Sequence, residues 1–393
     1  MNSSTSSSPR IAIACGGTGG HLFPGLAVAD QLVQRGCSVT LLISTKEVDQ
    51  QAVQMAAGME IISLPAVGLK RGRELAFLRG FSQSYRAAKR LFKNCPPQAA
   101  LAMGGFTSAP PILGAKRLGA RTFLHESNMI PGRANRWLAW TVDRAFVGFP
   151  RAAARLRNRD VLVTGTPVRL QFQARARGSC CAALGFDAAR PVLLVMGGSQ
   201  GASGINEMVI QSLPLLAKLA PSLQWFHLTG PADLEKVRQA YAELKLKAVV
   251  HPFFPGMELA LGAASAAISR AGASSLAELA AVRVPAVLVP YPAATDNHQV
   301  YNARAFEETG AARLLEQKEA TPEKLAGLVL ELVQSPAVRE KMQAALAWWH
   351  APDAAEQIAE ALLRPDTERR PFRSARSLTP QSPNLHSHPS PIT

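Results

Sequence analysis

The chain has 393 residues, more than a single hydrophobic core usually organises, so two domains are expected. Hydrophobic residues make up 47% and charged residues 18%, which excludes a largely disordered protein. The net charge of +15 calls for an anionic ligand or surface. Five scattered cysteines without metal-ligand spacing point to a reducing compartment rather than a disulfide framework.

In chain order, residues 1–9 read as a Ser-rich disordered lead. Residues 10–14 read as a strand that runs into Gly16-Gly17-Thr18-Gly19-Gly20-His21, and a helix is expected over 25–35. Strands follow at 39–44 and 60–64, with a helix at 49–57. Residues 69–92 mix Leu69, Leu75, Phe77, Leu78, Phe81 and Leu91 with Lys70, Arg71, Arg73, Arg79, Arg86, Lys89 and Arg90. Such a basic, amphipathic stretch suits an anionic bilayer as well as a core. Arg133, Arg136, Trp137 and Trp140 would add to the bilayer reading if they share a face. Strands at 99–103, 121–125, 145–147 and 161–164 alternate with helices at 110–118 and 132–142.

Residues 165–169 mark a crossing point, after which the same rhythm restarts. Strands are predicted at 192–196, 223–229, 248–251, 266–269, 286–289 and 312–315. Helices are predicted at 206–219, 232–244, 257–263, 274–281 and 299–309, and residues 322–359 read as mostly helical. Strand–helix alternation of this kind predicts two doubly wound parallel sheets facing a cleft, the α/β class. The expected limits are 10–165 for the first domain and 166–345 for the second. A last helix at 346–363 is expected to return toward the first domain. Residues 364–393 read as a disordered Pro/Ser/Arg-rich tail carrying five arginines against two acids, a net +3 of the total. No run reaches 18 apolar residues, so a cytosolic protein or one peripheral to a membrane is expected.

The two glycine-rich loops each end a strand and open a helix, where backbone N–H groups can receive an anion. The first lacks both the Gly-Lys-Ser/Thr of an ATPase loop and the dinucleotide spacing, so a plain tight turn stays open beside a ligand site. His21 at its mouth has the chemistry of a general base toward a hydroxyl near neutral pH. In the second loop, Gly197-Gly198-Ser199-Gln200-Gly201-Ala202, hydroxyl and N–H donors suit a diphosphate. Residues 270–278 bring Ala273, Ser274 and Ser275 to a helix start. Glu278 lies one turn on, either pairing with vicinal ribose hydroxyls or answering the helix dipole. Asp296-Asn297-His298-Gln299 and His125-Glu126-Ser127-Asn128 end strands where crevices bind ligands. A His-Glu pair without further ligands at useful spacing is poor metal chemistry, and neither a metal nor another cofactor is expected.

The ordered set Gly16 to Gly25, Gly104-Gly105-Phe106, His125 to Gly132, Gly197 to Ala202, Arg270 to Ala273 and Asp296 to Gln299 resembles the bacterial family that transfers N-acetylglucosamine from UDP to undecaprenyl-pyrophosphoryl-muramyl-pentapeptide, making lipid II from lipid I. The likeness covers about residues 11–360, and it implies the GT-B fold and inversion at the sugar. It also implies Ser199 near the diphosphate, Phe254 supplying backbone contacts to uracil, Ala273, Ser274 and Ser275 along the nucleotide, and Glu278 on ribose. Gln299 with His298 would read the sugar, and Thr18, Gly19, Gly20, Asn128 and Arg169 would complete the donor site. UDP-GlcNAc, lipid I, the cytoplasmic face of the inner membrane and cell-wall or division proteins are the implied partners, without nucleic acid. The chain departs from the family pattern at Ser127, commonly Gln, and at Thr166, commonly Asn. A transferase with another acceptor, a non-catalytic nucleotide-sugar sensor and a nucleic-acid module are the competing readings.

Overall fold

A computed structural model describes residues 8–17, 19–44, 58–65, 74–198 and 201–364. The expected lead up to residue 7, the helix at 49–57, the basic residues 69–73, Thr18, Ser199 and the tail from 365 lie outside the described residues.

Thirteen described strands form two all-parallel sheets. In the first, β1 (Arg10–Ala14), β2 (Ser38–Ser44), β3 (Glu60–Leu64), β4 (Ala99–Ala102), β5 (Arg121–Glu126), β6 (Arg144–Val147) and β7 (Val161–Val163) lie in the order 3-2-1-4-5-6-7. In the second, β8 (Val192–Met196), β9 (Gln224–Leu228), β10 (Ala248–His251), β11 (Ala266–Ser269), β12 (Ala286–Leu288) and β13 (Arg313–Leu314) lie in the order 10-9-8-11-12-13. Both wind outward from the unit's first strand. Ile11 pairs with Val39 on one side and Ala99 on the other, and Leu193 with Trp225 and Ala266. Strands β8 and β9 are buried at every position because helices cover both faces, hence their unbroken apolar runs.

Helix α1 (Gly19–Gln34) starts six residues before its predicted start, so the end of the first glycine loop and His21 form its first turn. Pro24 sits inside that helix and cannot donate to the Gly20 carbonyl one turn back. Ser274 Oγ, from the other sheet's side, donates to that carbonyl at 3.0 Å instead. The tertiary contact removes the penalty that makes a proline read as a boundary.

Helix α2 (Glu74–Asn94) buries a narrow stripe, Gly80, Ser84, Ala88 and Phe92, every fourth residue. Its partner is α3 (Ala109–Arg117). Leu75 and Leu78 stay exposed. The expected helix at 132–142 is shorter, α4 (Arg133–Leu138), continued by turns. Helix α5 (Arg177–Ala183), unpredicted, precedes β8. The helices of the second sheet are α6 (Ser203–Leu219), α7 (Leu234–Glu243), α8 (Met257–Ala263), α9 (Ala273–Val282) and α10 (His298–Glu308).

The long helical stretch after residue 322 is three helices, α11 (Pro322–Gln334), α12 (Pro336–Trp349) and α13 (Ala354–Leu363). Ser335 caps α12, its Oγ accepting from Val338 N, and Pro336 takes the first helical position, a local stop-and-start signal. Helix α13 packs on α1, with Ile358 and Leu362 buried among Ile11, Ile13 and Leu26. The chain therefore passes between the sheets twice, at 164–169 and at 350–353. The two passages touch. Gly165 has φ +82°, and a Cβ there would lie 2.3 Å from that of Ala351.

Candidate active site

The carboxyl ends of β1, β4 and β5 face those of β8, β11 and β12 across a cavity of about 520 Å³. Open sheets bind ligands at such ends, where the winding direction reverses. Gly19, Gly20, His21, Asn128, Arg169, Phe254, Ala273, Ser274, Ser275, Glu278, His298 and Gln299 all line it, although the chain separates them by up to 280 positions. Of the sequence-predicted site residues, Thr18 and Ser199 alone fall outside the described residues. Gly17 and Gly198 flank them, and Gly198 is in the lining.

On the first side, His21 projects from the start of α1, with Nδ1 2.9 Å from the Met103 carbonyl at the end of β4. A carbonyl only accepts, so Nδ1 carries the proton and Nε2 is the acceptor nitrogen. The ring needs room that only glycine leaves. A Cβ on Gly104 would come within 2.6 Å of it.

His125 and Glu126 do other work. His125 is fully buried, donating from Nε2 to the Gly165 carbonyl at 3.0 Å and accepting at Nδ1 from Ser127 Oγ at 3.2 Å. Burial pushes its pKa down to about 4 against the partial support of the Gly165 bond. Glu126, also buried, accepts from Asn128 N and Nδ2 on one oxygen and from Gly132 N and Asn135 Nδ2 on the other. Four donors hold this carboxylate as the hub of the 126–135 loop, and that leaves it no lone pair suited to a metal.

Asn128, so placed, meets the second side. Asn302, buried on α10, donates from Nδ2 to Asn128 Oδ1 and to the Ala271 carbonyl, both at 3.1 Å, and accepts from Met129 N at 2.9 Å. This amide ties the two sheets together under the cavity. Sequence reasoning missed it because a lone Asn inside a helix carries no local signal. Asn135 was missed for the same reason. Its buried Oδ1 lacks a hydrogen-bond partner among the described residues, and the side chain lines the cavity near the Gly104 backbone.

On the second side, Ala273, Ser274 and Ser275 form the first turn of α9, with Glu278 a turn on. Burial raises the Glu278 carboxyl to about 7 despite Arg169, which pulls it down, while Glu258 adds a smaller upward push. Arg169, just after the first passage between the sheets, is buried with its guanidinium 4.7 Å from the Phe23 ring centre and 5.1 Å from that of Phe172. Gln299 Oε1 accepts from Ala271 N and Tyr291 N, which leaves its –NH2 as the group to offer a ligand. His298 Nδ1 donates to the Thr295 carbonyl at 2.8 Å. Just before it, Asp296 and Asn297 both hold φ near +51°, a conformation that costs non-glycine residues energy and marks a constrained turn. Phe254 stacks on His251 and packs edge-on against Phe226, which fixes the 252–256 loop along the cavity.

A bilobed cavity with a base-competent imidazole on one wall and a carboxylate, amides and helix N-termini on the other suits group transfer between two ligands. Comparisons with known proteins agree. Residues 11–147 match the glycosyltransferase family 28 N-terminal domain and residues 192–358 its C-terminal domain. A protein of Anaeromyxobacter sp. (strain K), named UDP-N-acetylglucosamine–N-acetylmuramyl-(pentapeptide) pyrophosphoryl-undecaprenol N-acetylglucosamine transferase, is 37% identical over 377 residues, 93% of this chain and 96% of its own. The protein of the same name from Myxococcus xanthus (strain DK1622) is 34% identical over 359 residues, 89% of this chain and 91% of its own. The crystal structure of Acinetobacter baumannii MurG superimposes with a TM-score of 0.70 at 28% identity, over 90% of this chain and 99% of its own. A calicheamicin glycosyltransferase shares the fold alone, with a TM-score of 0.63 at 19% identity over 91% of this chain and 98% of its own. Family-wide sequence matches, two facing Rossmann-like sheets and the cavity between them converge: the chain belongs to glycosyltransferase family 28, among the N-acetylmuramyl-(pentapeptide) pyrophosphoryl-undecaprenol N-acetylglucosamine transferases.

Proposed function

We propose that this chain moves N-acetylglucosamine from UDP-GlcNAc to the C4 hydroxyl of the muramyl sugar of lipid I, forming lipid II with inversion at the anomeric carbon. The observation that carries the reading is the His21 tautomer. Its acceptor nitrogen belongs to the cavity's first wall, while the residues suited to a nucleotide form the opposite wall.

In a single displacement the acceptor oxygen attacks the anomeric carbon and passes its proton to His21 Nε2. The bond from that carbon to the β-phosphate oxygen breaks, and its electron pair leaves with UDP. The N–H groups of the second glycine loop and Ser199 receive the developing charge. Glu278 accepts from the ribose hydroxyls, the 254 backbone faces uracil, and Ala273, Ser274 and Ser275 flank the phosphates. Gln299 donates to the sugar, with His298 beside it. Thr18, Gly19, Gly20, Asn128 and Arg169 close the donor from the first side.

The division of labour follows, with residues 10–165 taking the lipid-linked acceptor, 166–345 the nucleotide sugar and 346–363 tying the two. No described helix is long and apolar enough to cross a membrane. The exposed Leu75 and Leu78 on a basic helix support a peripheral position on the anionic cytoplasmic face of the inner membrane, within reach of cell-wall and division proteins.

The test is direct. Purified protein, labelled UDP-GlcNAc and lipid I in detergent should yield a lipid-linked disaccharide. Donor hydrolysis without that product, or product from a different acceptor alone, overturns the reading.

A further inference from the structure

The reaction brings two diphosphates to one protein, and the second glycine loop answers for only one of them. Resting on the function proposed above, we propose that Arg133 is the binding residue for the acceptor's diphosphate, at the point where the cavity opens toward lipid.

The acceptor's geometry sets the requirement. Its diphosphate joins a sugar that must enter the cavity to an isoprenoid chain that must remain in the bilayer. The residue that holds it has to belong to the cavity lining and to a membrane-compatible face at once. Arg133, Arg136, Trp137 and Trp140 follow helical spacing, and all four are exposed, so they share one face. Trp137 is 51% and Trp140 64% exposed, values uncommon for tryptophan, and the Arg157 guanidinium lies 5.1 Å from the Trp140 ring centre. Exposed indoles beside arginines match the headgroup level of a membrane. Within this set of four only Arg133 also lines the cavity.

Charge points to the same side chain. Arg136 is already paired with Asp296 across the cavity mouth at 3.1 Å. Arg270 is buried and donates to the carbonyls of Val289 and Pro290 and to Gln317. Arg169 lies deep, close to Glu278. Arg133 has no carboxylate partner among the described residues. Its planar fork presents paired N–H donors in the spacing of phosphate oxygens.

Steady-state kinetics of the full chain in detergent micelles tests this with two acceptors, one carrying the diphosphate and one with an uncharged linker in its place. Arg133→Gln should raise KM for the diphosphate acceptor about tenfold, the order expected for losing a charge-assisted fork, with KM for UDP-GlcNAc unchanged. Both proteins should use the uncharged acceptor equally poorly. Inorganic pyrophosphate should compete with the acceptor in the unmodified enzyme and less strongly in the variant. Arg133→Lys, keeping the charge but not the fork, should fall between. Arg117→Gln, an exposed arginine at the end of α3, controls for net charge and should match the parent.

An unchanged acceptor KM in Arg133→Gln overturns the site. So does a loss seen only on anionic vesicles, which would make Arg133 a bilayer contact. If the unmodified enzyme makes product but the variant behaves like it, the site fails and the function stands. If the unmodified enzyme makes no product from UDP-GlcNAc and lipid I, both fail.

Discussion

The two halves of this molecule are wound alike and furnished differently. Each begins with a central strand, runs it into a glycine-rich loop and places a helix behind it, yet the two loops are held by opposite means. Behind the second loop lies a buried polar chain. Asn206, in the first turn of α6, donates to the Thr229 carbonyl and to Asp233 Oδ2 and accepts from His227 Nε2 at 3.0 Å, while His227 Nδ1 accepts from Tyr241. Each of these protons has one possible owner, and burial drives the His227 pKa down to about 3, so this histidine stays neutral. Behind the first loop, His21 has one backbone carbonyl at Nδ1 and faces the cavity. The buried network fixes each proton within it, whereas the His21 ring borders the cavity. His125 sits with His227 on the rigid side of that division, both ring nitrogens engaged.

Breaking the comparison at its sharpest point means removing His21. His21→Ala should lower kcat by two to four orders of magnitude, the usual worth of a general base, while calorimetry finds UDP-GlcNAc binding retained. Near-normal turnover at saturating substrates would remove His21 from the chemistry.

The second half should respond through affinity instead. Ribose hydroxyls are best accepted by the ionised Glu278, whose carboxyl lies at about 7 without ligand. Donor affinity should therefore rise with pH through that value and then level off. Glu278→Gln should flatten the profile and weaken donor binding about tenfold at pH 8, as expected for hydrogen bonds to a charged group. A pH-dependent profile surviving in the variant would assign the titration elsewhere.

Between the halves, Asn302→Ala leaves the Met129 N–H without its buried acceptor. A loss of about 1–3 kcal/mol in denaturant unfolding is expected, with KM rising for both substrates. A change confined to the donor would mean that the amide does not couple the halves.

Acid should expose the neutral histidines. His125 and His227 have folded pKa values near 4 and 3, below the ordinary value of about 6.5. The unfolded chain therefore binds protons first as pH falls. Their contribution to stability is complete above pH 6.5 and drains away down to about pH 4 for His125 and about pH 3 for His227. Replacing His227 with Gln should reduce that slope in pH-dependent melting.

The smallest effect belongs to the contact over Pro24. Ser274→Ala removes the donor to the Gly20 carbonyl, which α1 cannot replace, and should cost about 0.5–1.5 kcal/mol at most. A stability loss many times larger would mean that Ser274 does more for the fold than satisfy that carbonyl.

Much of this was legible along the chain, because parallel strands buried on both faces are written as unbroken apolar runs and their loops as glycines. The βα rhythm, both glycine loops and the polar ends of β5 and β12 are local patterns, and the ordered motifs carried the family. What misled was also local. Pro24 reads as a helix boundary, although Ser274 makes it tolerable from 250 positions away. Residues 322–359 read only as mostly helical, with the last helix expected from 346; Ser335-Pro336 divides the stretch, and the last helix begins at Ala354.

Composition and periodicity by themselves determined that this chain folds as two parallel α/β units with glycine-rich turns after their first strands, since each such signal arises within a turn or strand of its neighbours. Tertiary structure alone decided that Asn302 joins Asn128 to the Ala271 loop, that His21 is held by Met103 in a base-competent tautomer, and that Arg133 stands where cavity and exposed tryptophans meet. Those facts depend on which distant groups satisfy one another's hydrogen bonds and charges once water is excluded, and residue order does not encode that locally.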